Sequence, residues 1–436
     1  MRDLLVTALV FGSIPLIFFR PWTGILVWSW LSYMNPHTLA WGFARTFPFA
    51  QLVAICLFVA VLFSKESKKI PINTTTVIWI IFLFWMTLTT ILAIYPDRAF
   101  EYYMRVIKIQ AVTFLTLMLI TDKERVKALV WVIAMSIGFF SIKGGLFTIM
   151  TGGAYRVYGP GNSVIAENNA LAVATLIIIP LMYYLSTITT NKWIRRFLIL
   201  SIILSLISVL GSQSRGAFLA IAAVGGYFWW QSKTKLLSGL IILILAVLGF
   251  SFMPDSWHER MASIQNYEED PSAMNRLNAW KFSVNLANDR FTGGGFNSWS
   301  QENYEKYSPG YLGVFVAHSI YFGVIADQGW IGFALFMLIL GLSWRNLTVA
   351  QKQILQRPEH EDLLVLARML KVSLVAFLSG GTFLSLAYFD LPWHILALGV
   401  IMRIITSKDD APAAQEPRQT AHRDWSKDQH RTFRMR

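Results

Sequence analysis

The sequence has few charged residues and almost no cysteine. Among its 436 residues, 14% are charged and one, Cys56, is a cysteine. A single cysteine excludes an intramolecular disulfide and a cysteine-based metal site, and Cys56 lies in an apolar segment without a neighbour that would activate its thiol. The low charge, together with 55% hydrophobic residues and a mean hydropathy of +0.49, excludes an ordinary soluble domain. The composition predicts a polytopic membrane protein.

The sequence also lacks the residue spacings that several classes of enzyme require. Gly293–Gly295 follow no predicted strand and precede no Lys with Ser or Thr at P-loop spacing, so they predict a turn and not a nucleotide loop. No set of Asp, Glu and His has metal-ligand spacing, and no Ser-His-Asp order can be argued. We therefore expect no metal and no other cofactor. The net charge is +13, but the basic residues lie in short loops, which argues against nucleic-acid binding.

Long apolar segments recur along the chain and predict its fold class. The first segment is interrupted by Arg20 and Pro21, so it is either one kinked span or a short hairpin. Together the segments predict an all-α polytopic membrane protein with about 12 transmembrane helices and one large external loop that contains amphipathic helices. The later spans are predicted at about residues 49–63, 77–93, 102–120, 129–150, 165–185, 197–210, 217–230, 236–252, 319–342, 370–387 and 393–405.

Lys and Arg are concentrated in alternate loops, which predicts the orientation of the chain. Basic residues cluster in loops such as 65–69, 121–127 and 191–196, and this bias is typical of the cytoplasmic side. The long polar segment then lies outside the cell membrane and the C-terminus lies in the cytoplasm. The predicted domains are N-terminal transmembrane helices over 1–252, a loop domain over 253–317, C-terminal transmembrane helices over 318–406 and a disordered cytoplasmic tail over 407–436.

Two arginines lie where the membrane makes a charge costly. Arg215 stands between two apolar spans at the outer face, where it is either an interfacial anchor or a ligand-binding residue. Arg276 lies in a helical pattern, in which it is either a solvated residue of an amphipathic helix or a second binding residue. A pair of guanidinium groups matches phosphate bidentately and could bind a diphosphate without a metal. The apolar face predicted for the Arg276 helix contains Met274, Leu277, Trp280 and Val284.

His318 stands at the outer end of the predicted span over 319–342. It either caps the helix or, because imidazole titrates near neutrality, takes a proton from a hydroxyl nucleophile. A base beside phosphate-binding arginines predicts group transfer from a lipid diphosphate. Several further polar residues could line the same cavity or add positive potential to it: Arg98, Arg105 and Lys108 on one span, Arg156 in an external loop, and Asp390 with His394 near the last external turn.

Four short motifs, in this order, resemble the O-antigen ligase and Wzy polymerase superfamily. They are GPGNSVIAENNALA, in which Asn169 begins an Asn-x-Leu-Ala sequence, SQSRGAFLA around Arg215, RLNAWKFSVNLANDRFTGGGF from Arg276, and AHSIYFGVIADQGWIGF, in which His318 precedes Gly329 and Gly332. The N-terminal PWTGILVWSWLSYMNPHTLAWGFA is similar to the branch of ligases associated with exosortase systems. Ser319 stands where many members of the superfamily have Asn.

The resemblance implies a GT-C-like membrane glycosyltransferase of the bacterial inner membrane that uses no metal or nucleotide. Such an enzyme moves a glycan from undecaprenyl diphosphate to an acceptor hydroxyl, such as one of the lipid A core, on the periplasmic side. The external loop is then periplasmic. The resemblance implies that Arg215 and Arg276 hold the diphosphate and that His318 is the base. From their positions, Arg98, Arg105 and Arg156 are possible further substrate contacts, and the motif that begins at Asn169 adds that residue.

Other functions are compatible with the same motifs. A Wzy-type polymerase would extend the lipid-linked glycan, and a protein O-oligosaccharyltransferase would transfer it to a protein. A lipid-linked glycan transporter would use the arginines only to bind an anionic headgroup, and it would not depend on His318. A direct attack by the acceptor on the donor predicts inversion at the anomeric carbon.

Overall fold

The computed structural model describes residues 1–255, 257–258, 271–309, 313–356 and 361–408. This part of the chain contains helices and no strand. We number its α-helices in chain order: α1 (Arg2–Phe19), α2 (Trp22–Met34), α3 (Phe49–Phe63), α4 (Thr74–Ile91), α5 (Pro96–Leu119), α6 (Lys123–Met150), α7 (Asn168–Ile188), α8 (Lys192–Gly211), α9 (Arg215–Gln231), α10 (Lys235–Phe252), α11 (Pro271–Asp289), α12 (Gln301–Tyr307), α13 (Ile320–Ile354), α14 (Glu361–Gly380) and α15 (Asp390–Lys408). Short 3-10 turns lie at Pro36–Leu39, Phe43–Arg45 and Gly381–Phe383.

The protein is an all-α polytopic membrane protein, as the sequence predicts. Of the described helices, nine are long and apolar enough to cross a membrane: α1, α4, α6, α7, α8, α10, α13, α14 and α15. This number is below the predicted 12 or so, because α2, α3 and α9 have only 13, 15 and 17 residues and α5 carries several charges. The predicted tail beyond Lys408 lies outside the described residues.

The first apolar block forms two helices, which decides between the two alternatives for it. The chain leaves α1 after Phe19 and enters α2 at Trp22, directly after Pro21. At the other end of α1, the Asp3 carboxylate accepts hydrogen bonds from the backbone N–H groups of Gly42 (2.9 Å) and Ala44 (3.2 Å). The start of α1 therefore lies beside the turn that follows α2, so the two helices form a hairpin.

The helices differ widely in burial, and this difference separates the core of the bundle from its periphery. In α7 and α15, 78% and 83% of the apolar span is buried within the protein. Helix α10 contains no buried residue and packs against α9. Since α10 is also the most apolar of the candidate spans, we infer that it lies in lipid at the edge of the bundle.

Helix α13 is broken at Gly329, where the backbone has a φ of 64° and a ψ of −172°. The carbonyls of Ala326 and Asp327 accept hydrogen bonds from the N–H groups of Gly294 (2.8 Å) and Gly295 (3.1 Å). A Cβ atom on Gly329 would lie 2.0 Å from the Phe291 carbonyl oxygen, so only glycine permits this approach. The turn predicted at Gly293–Gly295 is thus confirmed, and it packs on the helix break.

Helices α11 and α12, which lie between α10 and α13 in the chain, pack on α13 through a small apolar cluster. The cluster contains Phe282, Leu286, Tyr304, Tyr307 and Ala326. The apolar face predicted for α11 is buried in part: Leu277 is 43% exposed, whereas Met274, Trp280 and Val284 are half-buried. The fully buried residues of the helix include Ala279, Phe282 and Leu286. A helix that packs on protein buries the side facing its neighbours, whereas the sequence pattern assumed a helix lying on the membrane.

Candidate functional site

One pocket brings together the first turns of α7 and α9, the first turns of α11 and the segment after α14. Its volume is about 140 Å³. Three of the predicted site residues, Asn169, Arg215 and Arg276, lie in its lining. The remaining lining residues are Ser214, Gly216, Ser272, Ala273, Phe383 and Leu384. The fold therefore joins three motifs that are far apart in the sequence.

The start of α9 is held in place by hydrogen bonds that direct Arg215 into the pocket. The Ser214 hydroxyl accepts a hydrogen bond from the Ala217 N–H (3.1 Å) and so caps the helix. The Asn168 amide donates to the Ser212 carbonyl (2.8 Å), which fixes the preceding turn to α7. Arg215 is the first residue of α9, so the positive end of the helix dipole adds to the arginine charge.

Phe383 closes the pocket opposite the first turn of α9. A Cβ atom on Gly216 would lie 3.2 Å from the Phe383 Cβ atom, which is tighter than an ordinary contact. Glycine at position 216 therefore lets the phenyl ring approach the helix that carries Arg215. The sequence analysis did not find Phe383, because no motif marks it. The only local signal was the glycine directly after Arg215.

Trp280 links the helix that carries Arg276 to the chain before His318. It lies one turn after Arg276 on α11, and its indole N–H donates to the Ala317 carbonyl (2.8 Å). Its ring stacks on Phe322 in the first turn of α13, with 4.6 Å between ring centroids and 11° between ring planes. The backbone that precedes His318 and the first turn of α13 are therefore both held against α11.

His318 has a left-handed backbone conformation, with a φ of 43°. The next residue, Ser319, caps α13 by accepting hydrogen bonds from the N–H groups of Tyr321 (3.2 Å) and Phe322 (3.4 Å). Serine is a favourable N-cap residue, so the departure from the Asn of many superfamily members preserves the start of the helix.

The electrostatic environment of His318 favours its neutral form. Burial lowers the pKa of His318, and the positive charge of Arg276 lowers it further. The carboxylate of Glu167, just before α7, acts in the opposite direction and raises the pKa. A neutral imidazole can accept a proton, so this environment is suited to a general base. The sequence analysis did not single out Glu167.

The structure separates the other candidate residues from this pocket. Arg98 lies over the Tyr95 ring (4.9 Å to its centroid) and Arg105 lies over the Tyr102 ring (5.9 Å), both on α5 and neither in the pocket lining. Arg156 is exposed in the loop between α6 and α7 and is not part of the pocket lining.

Asp390 and His394 are buried inside the bundle. The Ser32 hydroxyl donates to the Asp390 carboxylate, and the Tyr33 hydroxyl is 2.7 Å from the Nδ1 atom of His394. The suggestion that this pair lines the cavity is therefore wrong, because both side chains contact α2 instead. In the ranges that the structure covers, no group of three His, Cys, Asp or Glu residues is placed to hold a metal ion.

Two regions of the chain match known protein families. Residues 199–337 match a family model described as O-antigen ligase. This match includes Arg215, Arg276 and His318. The match covers about a third of the chain and supports a relationship of this region to the O-antigen ligase and Wzy polymerase superfamily. Residues 1–190 match a family of unknown function (DUF5935), and no curated protein matches the chain.

The pocket is assembled from more than the O-antigen ligase region. Asn169 belongs to the N-terminal region of unknown function, whereas Phe383 and Leu384 follow the ligase match. The matched domain supports a glycosyltransferase type of activity, and the apolar helices support its location at a membrane. It does not identify the donor, the acceptor or the catalytic residues.

Proposed function

We propose that this protein is an O-antigen ligase-type glycosyltransferase. It transfers a glycan from undecaprenyl diphosphate to a hydroxyl of the lipid A core oligosaccharide at the periplasmic face of the bacterial inner membrane, with inversion and without a metal ion. The observation that carries the proposal is the pocket in which Arg215 and Arg276 meet, with the charge of Arg276 acting on His318. The positively charged pocket binds the diphosphate of the donor, and the neutral base next to it takes the proton of the acceptor hydroxyl.

The donor diphosphate occupies the arginine pocket. Each guanidinium offers paired N–H donors that match two phosphate oxygens, and the Asn169 amide offers a further donor. The first turn of α9 adds the positive end of its dipole. These groups are preorganised by the fold, so they stabilise the charge that develops on the leaving diphosphate. The undecaprenyl tail lies in the lipid beside the exposed helix α10.

His318 activates the acceptor. The acceptor hydroxyl oxygen attacks the anomeric carbon while the imidazole takes the hydroxyl proton. A new glycosidic bond forms, and the bond from the anomeric carbon to the diphosphate oxygen breaks. Its electron pair leaves with undecaprenyl diphosphate, whose charge Arg215 and Arg276 stabilise. Attack from the face opposite the leaving group inverts the anomeric configuration.

The decisive assay uses purified protein, an undecaprenyl-diphosphate-linked glycan and lipid A core in the presence of EDTA. We expect a metal-independent product in which the glycan is joined to the lipid A core, as measured by mass spectrometry. Lengthening of the donor glycan with an untouched acceptor would identify a polymerase instead. Transfer to an added protein acceptor alone would identify a protein O-oligosaccharyltransferase, and the absence of any covalent product would favour a transporter.

The rate of transfer should fall at acidic pH as His318 becomes protonated. Replacing Glu167 with Gln removes the charge that raises the His318 pKa, so the acidic limb of the rate profile should move to lower pH. Because Glu167 is exposed, solvent weakens its effect and we expect a shift of a few tenths of a pH unit. The measurement is kcat against pH at saturating substrates.

Two further variants serve as comparisons in this pH experiment. Replacing Arg276 with Gln removes a charge that lowers the His318 pKa, so its acidic limb should move to higher pH. Glu305, an exposed residue of α12, provides a matched Glu→Gln control whose profile should not change. Shifts of the Glu167 and Arg276 variants in the same direction would contradict the assignment of His318 as the titrating base.

Trp280 should act as a positioning residue for His318. Replacing Trp280 with Phe removes the hydrogen bond to the Ala317 carbonyl but keeps an aromatic ring against Phe322. Since a displacement of about 1 Å at a catalytic group costs up to about 10²-fold in rate, we expect kcat to fall by about 10-fold with little change in donor affinity.

Trp330 offers a control for the Trp280 variant because it joins the same two helices. Its indole N–H donates to the side-chain oxygen of Asn288 (2.9 Å), so Trp330→Phe also removes a hydrogen bond between α13 and α11, away from His318. We expect near-normal kcat from this variant. Equal losses in the two variants would indicate that α11 needs only general anchoring.

A further inference from the structure

Three aromatic rings lie together beside the arginine pocket: Trp280 on α11, Phe322 in the first turn of α13 and Phe383 in the 3-10 turn after α14. The Trp280 ring is stacked on Phe322, with 4.6 Å between ring centroids and 11° between ring planes. It also contacts the Phe383 ring, with 6.2 Å between centroids and 36° between planes. The three rings therefore form one aromatic surface, which we call the aromatic platform.

The aromatic platform is not part of the hydrophobic core. Each of its three rings is half-buried. In the described ranges of the chain, the buried apolar clusters and the partly buried side chains that pack on them include none of the three. The indole N–H of Trp280 bonds to a backbone carbonyl, whereas a tryptophan of an interfacial belt directs its N–H towards water and headgroups. Neither core packing nor membrane anchoring accounts for this surface.

The aromatic platform joins the arginine pocket to the chain segment of His318. Phe383 lines the pocket. Trp280 follows Arg276 by four residues on α11, so the two side chains lie on the same face of that helix. The indole of Trp280 also reaches the carbonyl of Ala317, the residue directly before His318. One edge of the platform thus adjoins the proposed diphosphate site, and another adjoins the proposed base.

The geometry of the proposed transfer requires a sugar in this region. The anomeric carbon of the donor is bonded to the diphosphate, which the arginine pocket holds, and it is attacked by the hydroxyl that His318 deprotonates. The sugar ring that contains this carbon therefore lies between the pocket and His318, beside the aromatic platform. The C–H groups of a sugar carry a small positive charge and pack favourably on the negative face of an aromatic ring.

We propose that the aromatic platform binds the first sugar of the donor, which is the sugar joined to the diphosphate. This inference rests on the proposed function and assigns part of the glycan to named residues. The platform also acts in the transition state. The sugar ring acquires positive charge as its bond to the diphosphate breaks, and the face of an aromatic ring attracts a cation. Donor binding and rate should therefore both depend on the electron density of the rings.

Two lipid ligands test the aromatic platform without requiring glycan transfer. They are undecaprenyl diphosphate and the same lipid bearing the glycan, and isothermal titration measures their binding to purified protein in detergent. Phe383→Leu should weaken binding of the glycan-bearing lipid by about 10-fold, because leucine keeps the pocket apolar but has no aromatic face. Binding of undecaprenyl diphosphate should stay within about a factor of two, because both arginines remain, and this binding also shows that the variant is folded.

Phe147 provides a matched control for the Phe383 variant. It packs against Tyr155, with 6.4 Å between ring centroids, and it does not line the pocket. We expect Phe147→Leu to bind both lipids as the wild type does. Equal loss of both lipids in Phe383→Leu would overturn the proposal in favour of a site for the polyprenyl chain. A loss seen only in the KM of the acceptor would overturn it in favour of an acceptor site.

Fluorinated phenylalanines at position 383 give a second readout, which a purely structural role would not affect. Each fluorine withdraws electron density from the face of the ring and changes its size little. Mono-, di- and trifluorophenylalanine should weaken binding of the glycan-bearing lipid stepwise and lower kcat stepwise, with no trend for undecaprenyl diphosphate. A series without a trend in binding or in kcat would overturn the proposal and leave Phe383 as a packing residue of the pocket.

Failure of this inference is distinguishable from failure of the proposed function. If the wild type transfers glycan and Phe383→Leu binds both lipids and transfers glycan as the wild type does, the inference fails alone. If the wild type binds neither lipid and transfers no glycan, the proposed function fails, and the inference fails with it.

Discussion

Replacing His318 with Ala is expected to lower the rate of glycan transfer by about 10²–10⁴-fold, the range that general acid–base groups contribute. Burial and the charge of Arg276 lower the pKa of the half-buried His318, which favours the neutral imidazole that the proposed proton transfer requires. The substitution removes the proposed base but leaves both arginines that line the pocket, the proposed diphosphate site. Donor affinity should therefore change little while kcat falls.

The His318 measurement needs a histidine control with a similar environment. His37, in the 3-10 turn after α2, is also partly buried, and burial also lowers its pKa. We expect His37→Ala to retain normal kcat. Single-turnover transfer and equilibrium binding of the donor should be measured for both variants. Full activity without His318, in protein that still binds donor, would remove the histidine from the mechanism and leave the arginine pocket as a binding site only.

Replacing Arg215 with Lys is expected to weaken binding of the glycan donor and to lower kcat, so that kcat/KM falls by about 10²–10³-fold. This loss is typical when one hydrogen-bond donor to a developing negative charge is removed. Lysine keeps the positive charge but offers no planar pair of N–H groups, so the bidentate contact to phosphate is lost. Arg276→Lys should behave in the same way, because the two side chains line one pocket. The double variant should lose less than the product of the two single effects if both residues hold one diphosphate.

An exposed arginine outside the pocket controls for charge in the arginine experiment. Arg45, in the 3-10 turn Phe43–Arg45, is exposed and does not line the pocket, and Arg45→Lys should behave as the wild type. Donor binding is measured by isothermal titration with the lipid-linked glycan in detergent, and kcat/KM by product formation. Normal donor affinity in both Arg215→Lys and Arg276→Lys would argue that the diphosphate is bound elsewhere.

The sequence and the structure agree best where a signal is local. The motif containing His318 correctly predicted the histidine before a helix start, and Ser319 shows why a small polar residue is needed there, since it caps α13. The glycine motif correctly predicted a turn. Its packing on Gly329 was not predictable, because a close approach of two backbones depends on where both segments are placed in space.

Two differences between the sequence analysis and the structure have a common cause. The apolar pattern of α11 included Leu277 and not Phe282, but α12 and α13 bury Phe282 and leave Leu277 exposed. Likewise, Asp390 and His394 were expected near the cavity, but their hydrogen bonds to Ser32 and Tyr33 hold them inside the bundle. In both cases the partner lies far away in the sequence, so no local pattern contains the information.

By itself, the sequence determined that the protein lies in a membrane, that it is helical, and which residue types are candidates for the site. It did so because transfer of apolar residues into lipid depends on composition, and because four motifs carry Asn169, Arg215, Arg276 and His318 in recognisable order. Only the tertiary structure decided which of these residues meet, that Phe383 closes their pocket and that Arg98 and Arg105 lie on another surface. Packing between distant helices sets these contacts, and it depends on the shapes of all neighbouring side chains at once.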